Sequence, residues 1–196
     1  MKGLRVAVVA MAFGSGVWGA EYFPLGVGNR WSYQTSTGMG MTVAVTGEAA
    51  VRGVRCAVVE TTLGWQSSRE FMRAEADGLK AYKSDMQGQE FVYDPPVVRV
   101  KLPFQEGQTW TSTVNQFGMS IVTTYQSAGR ERVQTPAGAF DCVVVQSTAA
   151  LPGQPPIVSM NYYAPDMGLV HQVVQTGGQQ MIATLVSANV RPSQKP

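Results

Sequence analysis

Apolar and polar residues alternate with a period of two along most of the chain. Trp31-Ser32-Tyr33-Gln34-Thr35 is followed, after a Gly-Met turn region, by Thr42-Val43-Ala44-Val45-Thr46. Residues 56–62, 120–125 and 142–147 repeat the pattern with Val, Ile, Thr and Tyr. Such residues suit a pleated, half-buried surface, and alternation places one face of each run inward. Gly38-Met39-Gly40, Gly53, Gly64, Gly118, Gly129, Gly138 and Gly177-Gly178 punctuate the runs and are the expected turn positions. Asp77-Gly78 is a further turn signal with a strand on each side. No stretch longer than about ten residues has helical periodicity. The pattern predicts an all-β fold: a strongly curved antiparallel sheet or open half-barrel with little helix.

The landmarks recur. Pro24, Gly28 and Trp31 in the first half are answered by Pro103, Gly107 and Trp110 in the second. Gly38-Met39 matches Gly118-Met119, Cys56 matches Cys142, and Gly78-Leu79 matches Gly168-Leu169. The common order implies an internal duplication, with halves at 22–95 and 98–188 joined near Asp94-Pro95-Pro96. A few strands with one apolar face cannot bury that face alone, so the halves are expected to form a single β domain over 21–190. The Pro-rich stretch 151–156 reads as a loop, and 191–196 as a disordered tail.

Residues 1–20 read as a secretory signal peptide. Lys2 and Arg5 precede the apolar run 6–13, and small residues lead to Gly19-Ala20. This segment changes the charge. The chain has 15 Lys and Arg against 13 Asp and Glu; without Lys2 and Arg5 the balance is 13 to 13. A neutral mature chain gives no electrostatic footprint for nucleic acid. With 44% apolar residues disorder is not expected, and two cysteines do not make a disulfide scaffold. No run approaches the ~18 apolar residues of a membrane-spanning helix. Periplasmic or extracellular placement is expected.

Candidate chemistry is sparse. His171 is the sole histidine, so no zinc ligand set can be assembled with recognisable spacing. No Gly-x-Ser-x-Gly elbow or phosphate loop is present. Glu75 with Asp77, and Asp85 with Glu90, read as solvated turn charges rather than an acid/base pair; Met39 and Met41 read as packing residues. No metal, no cofactor and no catalytic residue are expected. Trp31 and Trp110 either plug the core ends of strands or line a ligand pocket. Cys56 and Cys142 lie on apolar strand faces; in an oxidising compartment they either pair as a disulfide or remain two buried thiols.

Three stretches carry a resemblance: residues 22–33, with Pro24-Leu25-x-x-Gly28-Asn29-x-Trp31; residues 136–142, with Pro136-Ala137-Gly138-x-Phe140; and Tyr163-Ala164-Pro165-Asp166-Met167-Gly168-Leu169-Val170. They resemble a group of exported bacterial β-rich proteins of unknown function. The resemblance implies a fold similar to the open barrel of the lipoprotein-localisation factors LolA and LolB, which hold acyl chains in a concavity under a helical lid. No lid segment is evident in this chain, and the resemblance assigns no site residue. The expected function is that of an exported, noncatalytic envelope protein binding an apolar ligand, such as a lipid, or a protein partner. The alternatives are a structural envelope protein without a small ligand, and a hydrolase with an unrecognised site.

Overall fold

The computed structural model describes residues 22–116 and 118–191. The expected signal peptide, and residues 192–196 of the expected tail, lie outside them. The described residues form twelve strands and no helix: β1 (Arg30–Thr35), β2 (Gly40–Val51), β3 (Val54–Leu63), β4 (Gln66–Glu75), β5 (Gly78–Met86), β6 (Gln89–Lys101), β7 (Thr109–Gln116), β8 (Met119–Thr135), β9 (Gly138–Ala150), β10 (Ile157–Ala164), β11 (Gly168–Thr176) and β12 (Gln179–Asn189). The alternating runs fall on β1, β2, β3, β8 and β9. Among the expected turn glycines, Gly40 and Gly138 open β2 and β9 beside their turns, and Gly129 departs furthest from a turn. It lies inside β8, where the register with β9 shifts between Ser127 and Gly129, so its positive φ serves a bulge.

All ladders are antiparallel, in the order β6-β5-β4-β3-β2-β1-β12-β11-β10-β9-β8-β7. The antiparallel sheet is strongly curved, as expected, and curls until its edge strands β6 and β7 approach each other in a nearly closed barrel. The landmark pairs fall six strands apart: Trp31 and Trp110 on β1 and β7, Cys56 and Cys142 on β3 and β9, Gly78 and Gly168 on β5 and β11.

The barrel's two junctions differ. At β1–β12, Arg30 faces Asn189 and the ladder runs to Thr35 opposite Ala183. At β6–β7 there is no ladder among the described residues. The cause is in β6. Ala81 faces Val97 while Lys83 faces Val92, so residues 93–96 bulge opposite the single residue Tyr82. Pro95 and Pro96 sit in this bulge and have no N–H to donate across the gap. Thus Asp94-Pro95-Pro96, expected to join the halves, lies within a strand, and residues 102–108 make the connection. Side chains close the seam instead. The Trp110 indole donates to the Val98 carbonyl at 2.9 Å, Arg99 donates to the Tyr125 hydroxyl at 3.1 Å, and Gln116 donates to the Tyr93 hydroxyl at 3.2 Å.

Consecutive hairpins place alternate turns at opposite ends. One end, the base, has the turns at 52–53, 76–77, 136–137 and 165–167, the connection 102–108 and the leading segment 22–29. The other, the rim, has the turns at 36–39, 64–65, 87–88, 118, 151–156 and 177–178. The core gathers at the base, where Pro24, Asn29, Trp31, Cys56, Leu79, Val100 and Val170 are fully buried. Asn29 fastens the two ends of the described chain. Its amide donates to the Pro24 carbonyl at 3.1 Å, and its Oδ1 accepts from the Arg191 N–H at 2.9 Å.

Candidate functional site

The alternation that builds the strands also builds a chamber. Inward positions two apart line a cavity of about 320 Å³: Met41 and Val43 on β2, Val59 and Thr61 on β3, Glu70 and Met72 on β4, and Ser159, Asn161 and Tyr163 on β10. Leu79 and Arg99 come from β5 and β6, Tyr125 and Ser147 from β8 and β9, and Gln172 from β11; Phe23 reaches in from the leading segment. The wall of β2 to β5 is largely apolar. The wall of β9 to β11 presents hydroxyls and amides, with the Gln172 amide donating to Asn161 Oδ1 at 2.7 Å.

One ion pair crosses the lining: the Arg99 guanidinium meets the Glu70 carboxylate. Burial opposes the Arg99 charge, but Glu70 and Tyr125 outweigh it and hold the guanidinium protonated. Burial also pushes the Tyr163 and Tyr33 hydroxyls well above the ordinary tyrosine value, so both stay neutral donors. The Tyr33 hydroxyl donates to the Leu169 carbonyl at 2.7 Å. Arg99 and Tyr125 also line a second cavity of about 130 Å³ at the seam, with Tyr93, Ser112 and Gln116. Four buried side-chain polar atoms have no partner among the described residues: Arg99 Nε and Ser112 Oγ at this cavity, and Gln108 Oε1 and Ser127 Oγ outside its lining. Each such atom costs roughly 1–3 kcal/mol when desolvated.

Neither tryptophan lines the chamber. Trp31 is fully buried at the base, 5.1 Å from the Phe23 ring, with its indole donating to the Met167 carbonyl at 2.6 Å. Trp110, directly across from Tyr125 on the inner face of the sheet, stacks on that ring at 5.4 Å beside the chamber. Trp31 is packed wholly within the core, and Trp110 is part-buried at the seam. Of the two states open to Cys56 and Cys142, disulfide or buried thiols, the structure has the second. Both are buried free thiols, and β3 and β9 have five strands between them. The two residues lie on different parts of the wall, each on the strand face opposite the chamber-lining Val59 and Thr61 of β3 and Ser147 of β9, so they do not meet. Each thiol donates to the carbonyl two residues earlier, and burial pushes Cys142 up to about 11 and raises Cys56.

The other candidates have local partners. Glu75 receives hydrogen bonds from Tyr82 and from Lys80, which also meets Asp77 at 2.9 Å. Burial raises Tyr82 to about 12, helped by Glu75. Asp85 accepts from the Gly88 N–H at 3.1 Å, and Glu90 pairs with Lys83. Met41 lines the chamber, whereas Met39 is exposed in the first rim turn. No group of three or more metal-ligating side chains occurs among the described residues.

His171 lies on β11, bonded through Nδ1 to the Thr184 hydroxyl at 3.0 Å and edge-on to Tyr162 at 5.2 Å. Burial lowers its pKa below 6.5, against a smaller opposing effect of Glu131. The unfolded chain therefore binds the proton more readily than the folded one. Stability from this group is complete above about pH 6.5 and declines as pH falls through that value toward the folded-state pKa. Urea unfolding at pH 7.5 and 5.5 should show a smaller difference for His171→Phe than for the parent chain. Equal differences would refute the assignment.

The Glu70–Arg99 pair escapes sequence reading. Each residue looks like an ordinary surface charge until it is seen two positions from a buried residue of its own strand, Met72 or Val97. That phase is the only signal, and it does not reveal that the two strands approach.

Comparisons with known proteins give the fold and no more. No family model matches the chain, and no curated protein matches it. Among solved structures, a protein from Bacteroides fragilis NCTC 9343, described as exported and of YmcC-like fold, superposes with a TM-score of 0.54. It is 16% identical over 86% of this chain and 99% of its own. A protein described as a lipoprotein from Parabacteroides distasonis ATCC 8503 gives 0.47 at 12% identity, over 86% of this chain and 98% of its own. The hypothetical lipoprotein YmcC from Escherichia coli (K12) gives 0.45 at 12%, over 85% of this chain and 86% of its own.

Proposed function

We propose that this chain is an exported, noncatalytic binding protein of the cell envelope whose barrel chamber takes a small, uncharged amphipathic ligand. The observation that carries this reading is the division of the chamber lining. Met41, Val43, Val59 and Met72 form an apolar wall opposite Ser147, Ser159, Asn161 and Gln172. The chamber's carboxylate and guanidinium already neutralise each other. A further buried charge would be unbalanced and costly, whereas a neutral hydroxyl, amide or ester would find donors and acceptors. About 320 Å³ lies at the small end of the range of ligand sites. The reading is noncatalytic because His171 is engaged with Thr184 and does not line the chamber. Export rests on the basic, apolar and small-residue order of residues 1–20.

Native mass spectrometry of protein purified from the cell envelope tests this. The expected spectrum has an adduct of a few hundred daltons that is absent from Val59→Trp, which fills the chamber, and retained in Val186→Trp on the outside. A bare mass for the parent chain would overturn the reading in favour of an envelope protein that works without a small ligand.

A further inference from the structure

The two ends of the barrel differ in charge. The base turns and connections contain Arg52, Asp77, Glu106 and Asp166. None of the described residues in the six rim turns is charged. The nearest charges are already engaged: Asp85 accepts from Gly88, and Glu90 is paired with Lys83. In their place the rim exposes apolar side chains. Trp65, at the tip of the β3–β4 hairpin, is 88% exposed. Met39 and Met86 are exposed on the neighbouring hairpins, with Val92 and Val122 a few residues below the tips.

We infer that the rim is a docking surface for a lipid bilayer, with Trp65 and Met39 entering the headgroup region. A soluble barrel gains solubility by charging its turns, and a protein interface surrounds its apolar core with a polar rim. Six uncharged turns at one end, spaced by Gly, Pro and Gln, instead match the interfacial zone. There a tryptophan ring is favourable and a charge is not required. The Met39 sulfur lies 3.5 Å from where a Cβ on Gly64 would stand, so the first and second rim hairpins present their apolar tips together. The chamber gives the surface a purpose. Phe23 and Trp31 fill the base, so the rim is the end at which an amphiphile could pass from a bilayer to the chamber. The absence of Lys and Arg from the rim turns makes the contact independent of anionic lipid.

Vesicle flotation with purified protein decides the matter. With neutral phosphatidylcholine and phosphatidylethanolamine vesicles, the parent chain should float and its tryptophan emission should shift to the blue. The double substitution Trp65→Ser, Met39→Ser should lower the partition coefficient at least tenfold, while Arg52→Ser at the base leaves it within twofold. Adding 30% phosphatidylglycerol should also change it by less than twofold. An unchanged partition in the double variant, or binding that needs the anionic lipid, overturns the inference. So does light scattering that shows a dimer dissolved by Trp65→Ser with no flotation of the parent chain; the rim would then be a self-association surface. Failure of the chamber to retain an adduct leaves this test unaffected.

Discussion

Trp31→Ala is expected to lower the unfolding free energy by about 3–5 kcal/mol, a large share of the ~5–15 kcal/mol available to a domain. Trp31 has no exposed surface. Its loss opens a cavity beneath Phe23, removes a ring contact at 5.1 Å and leaves the Met167 carbonyl without its donor. The damage spreads because the indole ties β1 to the turn before β11, at the end where the core is densest. Urea unfolding gives the measurement, with a fall in midpoint temperature of roughly 10 °C as the calorimetric counterpart. Trp110→Ala is the comparison. Trp110 is only part-buried and serves the seam, so its removal should cost less than half as much. Equal losses would show that the seam carries as much of the stability as the base.

Gly78→Ala is the second large effect. Gly78 opens β5 opposite Lys101 with φ +149°, and a Cβ there would lie 2.1 Å from the Val100 carbonyl oxygen. Both the obstacle and the strained residue are backbone, so the β5–β6 ladder itself must part. A loss of about 3 kcal/mol or more is expected. Gly53→Ala isolates the conformational part. Gly53 has φ +81° in a turn with nothing within 4 Å of an added Cβ, so the cost should be about 1–2 kcal/mol. If the two substitutions unfold at the same urea concentration, the close approach at Gly78 is not what holds that turn.

Both effects follow from residues already prominent in the sequence. The strands were legible because each alternating run pairs with a neighbour close along the chain, as 31–35 does with 42–46. What was not legible depended on where the sheet ends meet. Asp94-Pro95-Pro96 reads as a divide, and it is one in space rather than in sequence: it breaks the wall between β6 and β7 while the chain runs on through β6. Cys56 and Cys142 read as partners because they match, yet matching strands lie apart around a barrel. Glu70 and Arg99 read as solvent charges because nothing local tells which face of an amphipathic strand turns inward. The uncharged rim was present in the sequence throughout. It depends on which turns share an end of the barrel, and the alternation of hairpins settles that only in the folded sheet.

The unequal junctions also set an order of assembly. Ten of the eleven ladders join strands that follow one another in the chain; only β1 with β12 joins distant ones, bringing Arg30 to Asn189. Each six-stranded meander can therefore zip from local contacts, while the remaining ladder waits for both. Loop closure rises only ~0.6 kcal/mol for each doubling of length, so the equilibrium penalty for that ladder is modest. Its toll falls on the rate, since non-local pairing slows folding. Until it forms, the edges of β1 and β12 are open to other chains, and the interval before barrel closure is when this protein is most exposed to misassembly.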